Sequence, residues 1–233
     1  IAFESPSLQM ARAKASRMQM GPTASVVDGA QTRDPGPAAV HEYSAGPPTA
    51  SLLPPGRCVF DEEWAPSPLL ERKWIGHDTL LLTFGLPDAQ TPLGLSTCAC
   101  LLARGAPPGE GAEAVVRPYT PVSTNALLGA FELMVKVYPD GAMSQQLARL
   151  PIGATVDFKH IPFNVKYQYP FRARDVVMLV GGTGIAPMVQ ALHALLGTPS
   201  DGSTATVLYS SKTQADILAK GTLAVAVSQP PMP

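Results

Sequence analysis

The sequence predicts a mixed β and α/β protein, in which an antiparallel β-barrel is followed by an incomplete parallel α/β domain. Between residues 77 and 161, short apolar segments alternate with Gly, Pro and Asp, which is typical of antiparallel strands. Further on, a continuous apolar run is followed by a glycine-rich turn, a segment with helical periodicity and a second apolar run. That order of strand, turn, helix and strand is one βαβ unit of a parallel sheet.

The composition excludes several classes of protein. The 233 residues are 45% hydrophobic and 15% charged and carry a net charge of −1, so the chain can build one large domain or two small ones. Near-neutral charge argues against nucleic-acid binding, and no apolar run reaches the length of a membrane-spanning helix. Three cysteines are too few for a disulfide framework. Cys98 and Cys100 lack the further Cys or His ligands of a metal site, so we predict ordinary thiols and no metal.

Residues 1–55 are rich in Pro, Gly, Ala and Ser and hold few clustered apolar side chains, which predicts a disordered segment. Within them, "MARAKASRMQM" (10–20) carries three basic residues and no acid. This pattern fits an organelle transit peptide, for example a mitochondrial one, and fits a flexible basic tail of a cytosolic protein equally well. Because the chain begins with Ile1 rather than Met, we expect the natural N-terminus to be missing.

Residues 56–170 form the predicted barrel domain. One helix is expected at 144–150, with Ser144 as its N-cap and Pro151 as its end. The predicted strands are "HDTLLLTFGLP" (77–87), "CACLLAR" (98–104), "AVVRPYTP" (114–121), "FELMVKVY" (131–138) and "ATVDFKHI" (154–161).

Residues 171–233 form the predicted α/β domain. "DVVMLV" (175–180) is continuously apolar, as expected of a strand buried on both faces. "IAPMVQALHALLG" (185–197) repeats apolar residues at helical spacing, with a proline in its first turn and a glycine at its end. "ATVLYS" (205–210) is the second predicted strand.

The turn "GGTG" (181–184) lies between the buried strand and the start of the helix. Backbone N–H groups and the positive end of the helix dipole favour a phosphate at such a turn. Glycines also allow a flat ligand to approach the backbone closely. A tight βα turn without any ligand has the same pattern, so the turn alone does not identify a site.

The segment "RPYT" (117–120) combines four chemically distinct side chains. Arg117 offers a planar set of donors that matches phosphate oxygens, and Tyr119 has an aromatic face able to stack on a flat heterocycle. Thr120 can hydrogen-bond a ring nitrogen, and Pro118 stiffens the backbone. A solvent-exposed strand end is the alternative interpretation of these four residues.

Four segments together resemble a known family. "RPYTPVST", "MVKVYPDGAMSQQLARLPIG", "MLVGGTGIAPMVQAL" and "VLYSSKTQADILAK" are similar, in order and spacing, to motifs of the NADH–cytochrome b5 reductase family, part of the ferredoxin–NADP reductase superfamily. The resemblance implies that the barrel binds FAD and that the α/β domain binds NADH. It further implies an FAD-dependent oxidoreductase that passes hydride from NADH to FAD and then single electrons to a haem-protein acceptor such as cytochrome b5.

The same resemblance implies a role for each motif residue on the flavin side. Arg117 is expected to bind the FAD pyrophosphate, Tyr119 to stack on the isoalloxazine, and Thr120 to lie near flavin N5, the hydride acceptor. Lys136 is expected to help hold the dinucleotides and, with Thr120, is the predicted catalytic pair. The remaining predicted FAD contacts are Pro118, Val135, Tyr138, Gly141, Met143 and Ser144.

On the nucleotide side, the resemblance implies that Asp216 favours NADH over NADPH, because a 2′-phosphate would meet like charge there. The predicted pyridine-nucleotide loop consists of Gly181, Gly182, Thr183, Gly184 and Pro187.

The sequence departs from the family pattern at several positions. Ala142 replaces a frequent lysine, which predicts the loss of one phosphate contact. "GLSTCACLL" (94–102) replaces a Gly-Gln-His pattern, and its residues suggest no chemistry. "FKHIPFNVKYQYP" (158–170) replaces a Gly-Pro-x-Gly turn, and we expect His160 within it to be structural.

The end of the chain also differs. The family continues through further βα units to a Cys-Gly-Pro-Pro strand end, whereas "SQPPMP" (228–233) has Ser228 before its prolines. We therefore expect a fragment with an incomplete nucleotide domain. Two alternatives to the NADH reductase stay open: a flavin-binding module without efficient reductase activity, and an NADPH-using reductase of the same superfamily that serves a different acceptor.

Overall fold

The computed structural model describes residues 8–12, 46, 48–50, 58–107, 111–162 and 164–223. The predicted disorder of 1–55 falls mainly outside these residues, although 8–12 form a strand. In chain order the strands are β1 (Leu8–Arg12), β2 (Ala65–Trp74), β3 (Thr79–Gly85), β4 (Leu101–Arg104), β5 (Val116–Tyr119), β6 (Ala130–Lys136), β7 (Thr155–His160), β8 (Asp175–Gly181) and β9 (Thr204–Ser210). The helices are α1 (Ala142–Arg149), α2 (Ile185–Gly197) and short 3₁₀ turns at Gly182–Gly184 and Gln214–Asp216.

The predicted fold class is confirmed. Six strands form an antiparallel sheet in the order β5-β4-β7-β2-β3-β6, and β8 and β9, which α2 connects, pair in parallel with each other. On its other edge, β9 pairs antiparallel with β1. Among the described residues, neither α-helix combines the length and the apolar character needed to cross a bilayer.

The interior of the six-stranded sheet is an aromatic cluster. Phe60, Phe84, Phe131 and Phe158 are fully or almost fully buried, and the ring centroids of the pairs in contact lie 5.0–5.8 Å apart. Edge-to-face packing at these distances adds to the free energy gained from burial. Because these rings come from three strands and a preceding loop, they join these segments in one core.

Strand β2 was not predicted from the sequence. Pro66 and Pro68 interrupt its apolar pattern, and the charged run at 71–73 resembles a loop. The strand forms because its two halves pair with different neighbours: Ala65–Pro68 with β7, and residues from Leu69 onward with β3. An irregularity between Leu69 and Glu71 marks the change of partner.

The prediction that Ser144 is the N-cap of α1 was wrong. The helix begins at Ala142 with Gly141 as its N-cap. The Ser144 hydroxyl instead accepts a hydrogen bond from the Tyr138 N–H (3.1 Å) and donates one to the Gly141 carbonyl (3.1 Å). Ser144 therefore closes the turn that leads into the helix. At the other end, Arg72 donates to the Ala148 and Leu150 carbonyls, at 2.7 and 3.0 Å.

The prediction that β8 is buried on both faces was also wrong. Met178 is buried, but Val177 and Leu179 are 60% and 76% exposed. Since successive side chains of a strand point to opposite faces, α2 covers only the face that contains Met178. The described residues leave the other face of β8 open.

Helix α2 also packs against the barrel. Its buried residues Ile185 and Val189 belong to one apolar cluster with Leu81 of β3 and Met134 of β6. Leu81 and Met134 are register partners on neighbouring strands, and they face away from the aromatic interior. The start of α2 is therefore held against the outer face of β3 and β6.

Candidate functional site

A cleft of about 540 Å³ lies where the barrel meets the start of α2. Its walls are the end of β5, the C-terminal half of β6, the turn before α1 and the first residues of α2. Among the residues predicted for the site, the cleft is lined by Arg117, Pro118, Tyr119, Thr120, Val135, Lys136, Tyr138, Gly141, Met143, Ser144, Thr183, Gly184 and Pro187. Four further lining residues were not predicted as site residues: Met134, Asp140, Ala142 and Ala186.

The first wall comes from β5, which within the described part of the chain is an edge strand paired with β4 alone. An edge position tolerates Pro118, which cannot donate to a neighbouring strand. Arg117 is exposed, and one of its terminal nitrogens donates to the adjacent Val116 carbonyl at 2.7 Å. Desolvation raises the pKa of Tyr119 to about 12, with Arg117 opposing the shift. The phenol is therefore neutral at physiological pH.

The turn before α1 forms the second wall and requires glycine. A Cβ added to Gly141 would collide with the Ser144 hydroxyl and lie 3.0 Å from the Tyr138 Cβ. The turn is closed further by Gln145, whose side-chain nitrogen donates to the Tyr138 carbonyl at 2.8 Å. Ala142, Met143 and Ser144 of the first turn of α1 line the cleft, and the first N–H groups of a helix have no intrahelical acceptor.

The glycine turn before α2 forms the third wall, but only part of it reaches the cleft. Thr183, Gly184 and Pro187 line the cleft, whereas Gly181 and Gly182 do not. Gly182 has a φ of +50°, a conformation that favours glycine. Its carbonyl accepts a hydrogen bond from the Tyr209 hydroxyl at 2.9 Å, so the turn is anchored to β9.

Asp216 does not line the cleft but is bonded to a residue that does. The Lys136 ammonium lies 2.7 Å from Asp216 and 2.8 Å from Asp78. The second oxygen of Asp216 accepts hydrogen bonds from the backbone and the hydroxyl of Thr213, at 3.1 and 2.7 Å. His77 lies 3.7 Å from Asp216 at the exposed edge of this group. One ion-pair network thus connects the barrel to the segment after β9.

These contacts set the charge of the network. Hydrogen bonds from Lys136 and Thr213 lower the pKa of Asp216 to about 2. For Lys136, burial lowers the pKa, but its hydrogen bonds to Asp216 and Asp78 outweigh that effect, so the pKa is raised. Although His77, Asp78 and Asp216 are close enough to share a metal ion, the Lys136 ammonium already contacts both carboxylates and offsets one of their two negative charges. The arrangement is therefore an ion-pair network.

Comparison with known proteins agrees with this architecture. Residues 66–167 match the "Oxidoreductase FAD-binding domain" family and residues 178–231 the "Oxidoreductase NAD-binding domain" family. The cytochrome b5 reductase domain of Ulva prolifera nitrate reductase superposes with a TM-score of 0.64 at 31% identity, over 72% of this chain and 70% of that one. This chain belongs to the NADH–cytochrome b5 reductase family.

Curated members of the reductase family are also similar to this chain in sequence, over part of their own length. The chain is 38% identical to NADH-cytochrome b5 reductase 2 of Yarrowia lipolytica over 73% of this chain and 58% of that protein. It is 36% identical to the NADH-cytochrome b5 reductase-like protein of Arabidopsis thaliana over 76% of this chain and 54% of that protein. The chain therefore spans about half the length of these curated relatives.

Two departures from the reductase pattern have a structural account. Ala142, at the position where the family resemblance leads us to expect a lysine, lines the cleft as the first residue of α1 and offers only a methyl group there. His160 is buried at the end of β7 and does not line the cleft, and burial lowers its pKa. The interpretation of His160 as structural agrees with that position.

The residues of the cleft fit an FAD molecule. Its volume falls within the range of about 300–1,000 Å³ that is usual for ligand and cofactor sites. The cleft is lined on one wall by the exposed guanidinium of Arg117 and the partly buried ring of Tyr119. Another wall is the start of α1, where a Cβ at Gly141 would collide with neighbouring atoms. These provide partners for a pyrophosphate and for a flat ring system.

Proposed function

We propose that this chain is an NADH-dependent flavoprotein reductase that passes electrons from NADH through FAD to a haem-protein acceptor such as cytochrome b5. The observation that carries the proposal is the convergence of three separate segments, 117–120, 134–144 and 183–187, on one cleft. Bound FAD would supply the redox chemistry, accepting a hydride and releasing single electrons. The relatives' names supply the haem-protein acceptor.

The part of the protein itself is to bind and orient the two cofactors. Arg117 and the start of α1 would hold the pyrophosphate, and the ring of Tyr119 would pack on the flavin. The Thr120 hydroxyl would be available to hydrogen-bond a ring nitrogen. The walls of the cleft would limit the access of water to the bound rings.

Nicotinamide is expected at the opposite wall. Gly184 lacks a Cβ and lines the cleft beside Pro187 of the first turn of α2, so a flat ring could approach the backbone there. Asp216 is expected to disfavour a 2′-phosphate, because its carboxylate keeps its charge throughout the physiological range.

An anaerobic absorbance spectrum tests this proposal. The FAD-loaded protein is expected to show flavin bands that bleach when NADH is added and return when cytochrome b5 is added. A chain that binds no flavin contradicts the proposal. Flavin bands that persist in excess NADH identify a flavin-binding module instead, and faster bleaching by NADPH identifies an NADPH-using reductase.

The compartment stays a prediction. The basic residues of 10–20 support an organelle such as the mitochondrion, and a cytosolic location is the alternative. Residues 1–55 fused to a fluorescent protein are expected to direct it to that organelle, and diffuse cytosolic fluorescence would contradict this expectation.

A further inference from the structure

Gln190 is a buried polar side chain on α2 that bonds to the barrel instead of to its own helix. It is 5% exposed. Its side-chain oxygen accepts a hydrogen bond from the Cys98 N–H at 2.7 Å, and its side-chain nitrogen donates to the Ser123 carbonyl at 2.9 Å. Both ends of the amide are thus satisfied by backbone groups of two different barrel loops, as a buried amide requires.

The loop that contains Ser123 is connected to the flavin side of the cleft. Ser123 follows Thr120 by three residues. The Ser123 hydroxyl accepts from the Glu132 N–H at 2.9 Å, and the Val122 N–H donates to the Glu132 carbonyl at 2.8 Å. Because Glu132 lies in β6, the bond from Gln190 reaches a segment that the sheet already holds in place.

The loop that contains Cys98 lies within residues 94–102, where the sequence departs from the family pattern. Cys98 has a φ of +69°, which is disfavoured for a residue with a Cβ. In this conformation its N–H meets Gln190, and its thiol donates to the Pro187 carbonyl at 3.1 Å. Pro187 lines the cleft. The loop around Cys98 is therefore attached to the first turns of α2 by two hydrogen bonds.

We propose that Gln190 is a positioning residue for hydride transfer, a role that rests on the proposed function. It joins the wall that bears Thr120 to the helix that bears Gly184 and Pro187. These walls would hold the flavin and the nicotinamide respectively, so the Gln190 amide sets the separation between the two rings. Hydride transfer requires a near-attack distance, and a displacement of about 1 Å can lower its rate by about a hundredfold.

The test compares Gln190→Leu and Gln190→Glu with the parent protein, all loaded with FAD. Leu removes both hydrogen bonds, whereas Glu keeps the acceptor for Cys98 and loses the donor to Ser123. Gln90→Leu, at an exposed loop residue of the barrel, is the matched control. Flavin reduction is followed at saturating NADH, and NAD⁺ is titrated while the visible flavin bands are recorded.

Gln190→Leu is expected to retain FAD but to reduce the flavin about tenfold more slowly, as a displacement of the two rings by less than about 1 Å would produce. The change in the flavin bands on NAD⁺ binding is expected to weaken in parallel, and Gln190→Glu to fall between Leu and the parent. A Gln190→Leu protein whose rate and NAD⁺ titration equal those of Gln90→Leu would overturn the positioning role. A parent chain that retains no FAD overturns the proposed function instead.

Discussion

Strands β3 and β8 are both apolar in sequence, yet they differ in how the fold covers them. In β3, Leu82 faces the aromatic interior and Leu81 packs on the α2 cluster, so both faces are buried. In β8, α2 covers the face of Met178, while Leu179 on the other face is 76% exposed. An apolar run therefore indicates a strand but not how many of its faces another element will cover.

The largest expected effect comes from the interior of the barrel. Phe131→Ala removes a fully buried ring that contacts three others, and we expect it to lower the free energy of unfolding by about 3–5 kcal/mol. Urea unfolding followed by tryptophan fluorescence measures this loss. Leu179→Ala on the open face of β8 is the matched control, with an expected change within about 0.5 kcal/mol. A similar loss in both variants would contradict the contrast between the two strands.

The second-largest effect is expected on coenzyme preference, from a change to Asp216 in the ion-pair network between the barrel and the segment after β9. Asp216→Asn removes the charge that opposes a 2′-phosphate but keeps the shape of the side chain. We expect the ratio of kcat/KM for NADH to that for NADPH to fall by about tenfold, equivalent to about 1.4 kcal/mol. Steady-state rates with both coenzymes measure the ratio, and an unchanged ratio would show that Asp216 does not select the coenzyme.

The same network predicts a pH dependence of stability. The folded-state pKa of Asp216 is lowered from 3.8 to about 2, so its contribution is complete above pH 3.8 and is lost as the pH falls towards 2. For Lys136 the folded-state pKa is raised, so its contribution is complete below pH 10.5 and is lost as the pH rises through the folded-state value. Melting temperatures of the parent and Asp216→Asn across this range are expected to converge at the acid end. Parallel curves would exclude the ion pair as the source.

Two loop positions with positive φ are expected to respond in opposite directions. Gly182→Ala places a Cβ at φ +50°, and Cys98→Gly removes one at φ +69°. We expect the first to lower the free energy of unfolding by about 1 kcal/mol and the second to raise it by about 1 kcal/mol or less, because the lost thiol hydrogen bond offsets part of the relief. Thermal unfolding of both variants measures the pair. A stabilising Gly182→Ala change would show that the turn can relax.

The smallest effect on stability is expected at the open face of β8. Val177 and Leu179 form an exposed apolar pair on this face, so Leu179→Thr should change the free energy of unfolding by less than about 0.5 kcal/mol. It should nevertheless reduce self-association, because the apolar patch becomes smaller. Light scattering over a concentration series detects this difference, and equal scattering by parent and variant would mean that the face does not associate.

Parts of the candidate site were predictable because they are local. The segment 117–120 and the turn at 183–184 combine side-chain chemistry with backbone restrictions that a few consecutive residues contain. Asp78 and Gln190 were missed, since an acid before a strand and an amide in a helix are common on any protein surface. Their importance arises from partners far along the chain, Asp216 and Ser123 among them.

By itself, the sequence determined the fold class and the position of the βαβ elements, because periodicity, glycine and proline act over short distances. Together with the family resemblance, it also indicated most of the residues that line the cleft. Only the tertiary structure decided that β2 changes partner along its length, that Ser144 closes a turn instead of capping a helix, and that one face of β8 is open. The physical reason is that burial, ion pairing and hydrogen bonding between distant segments depend on which surfaces meet. No local pattern contains that information.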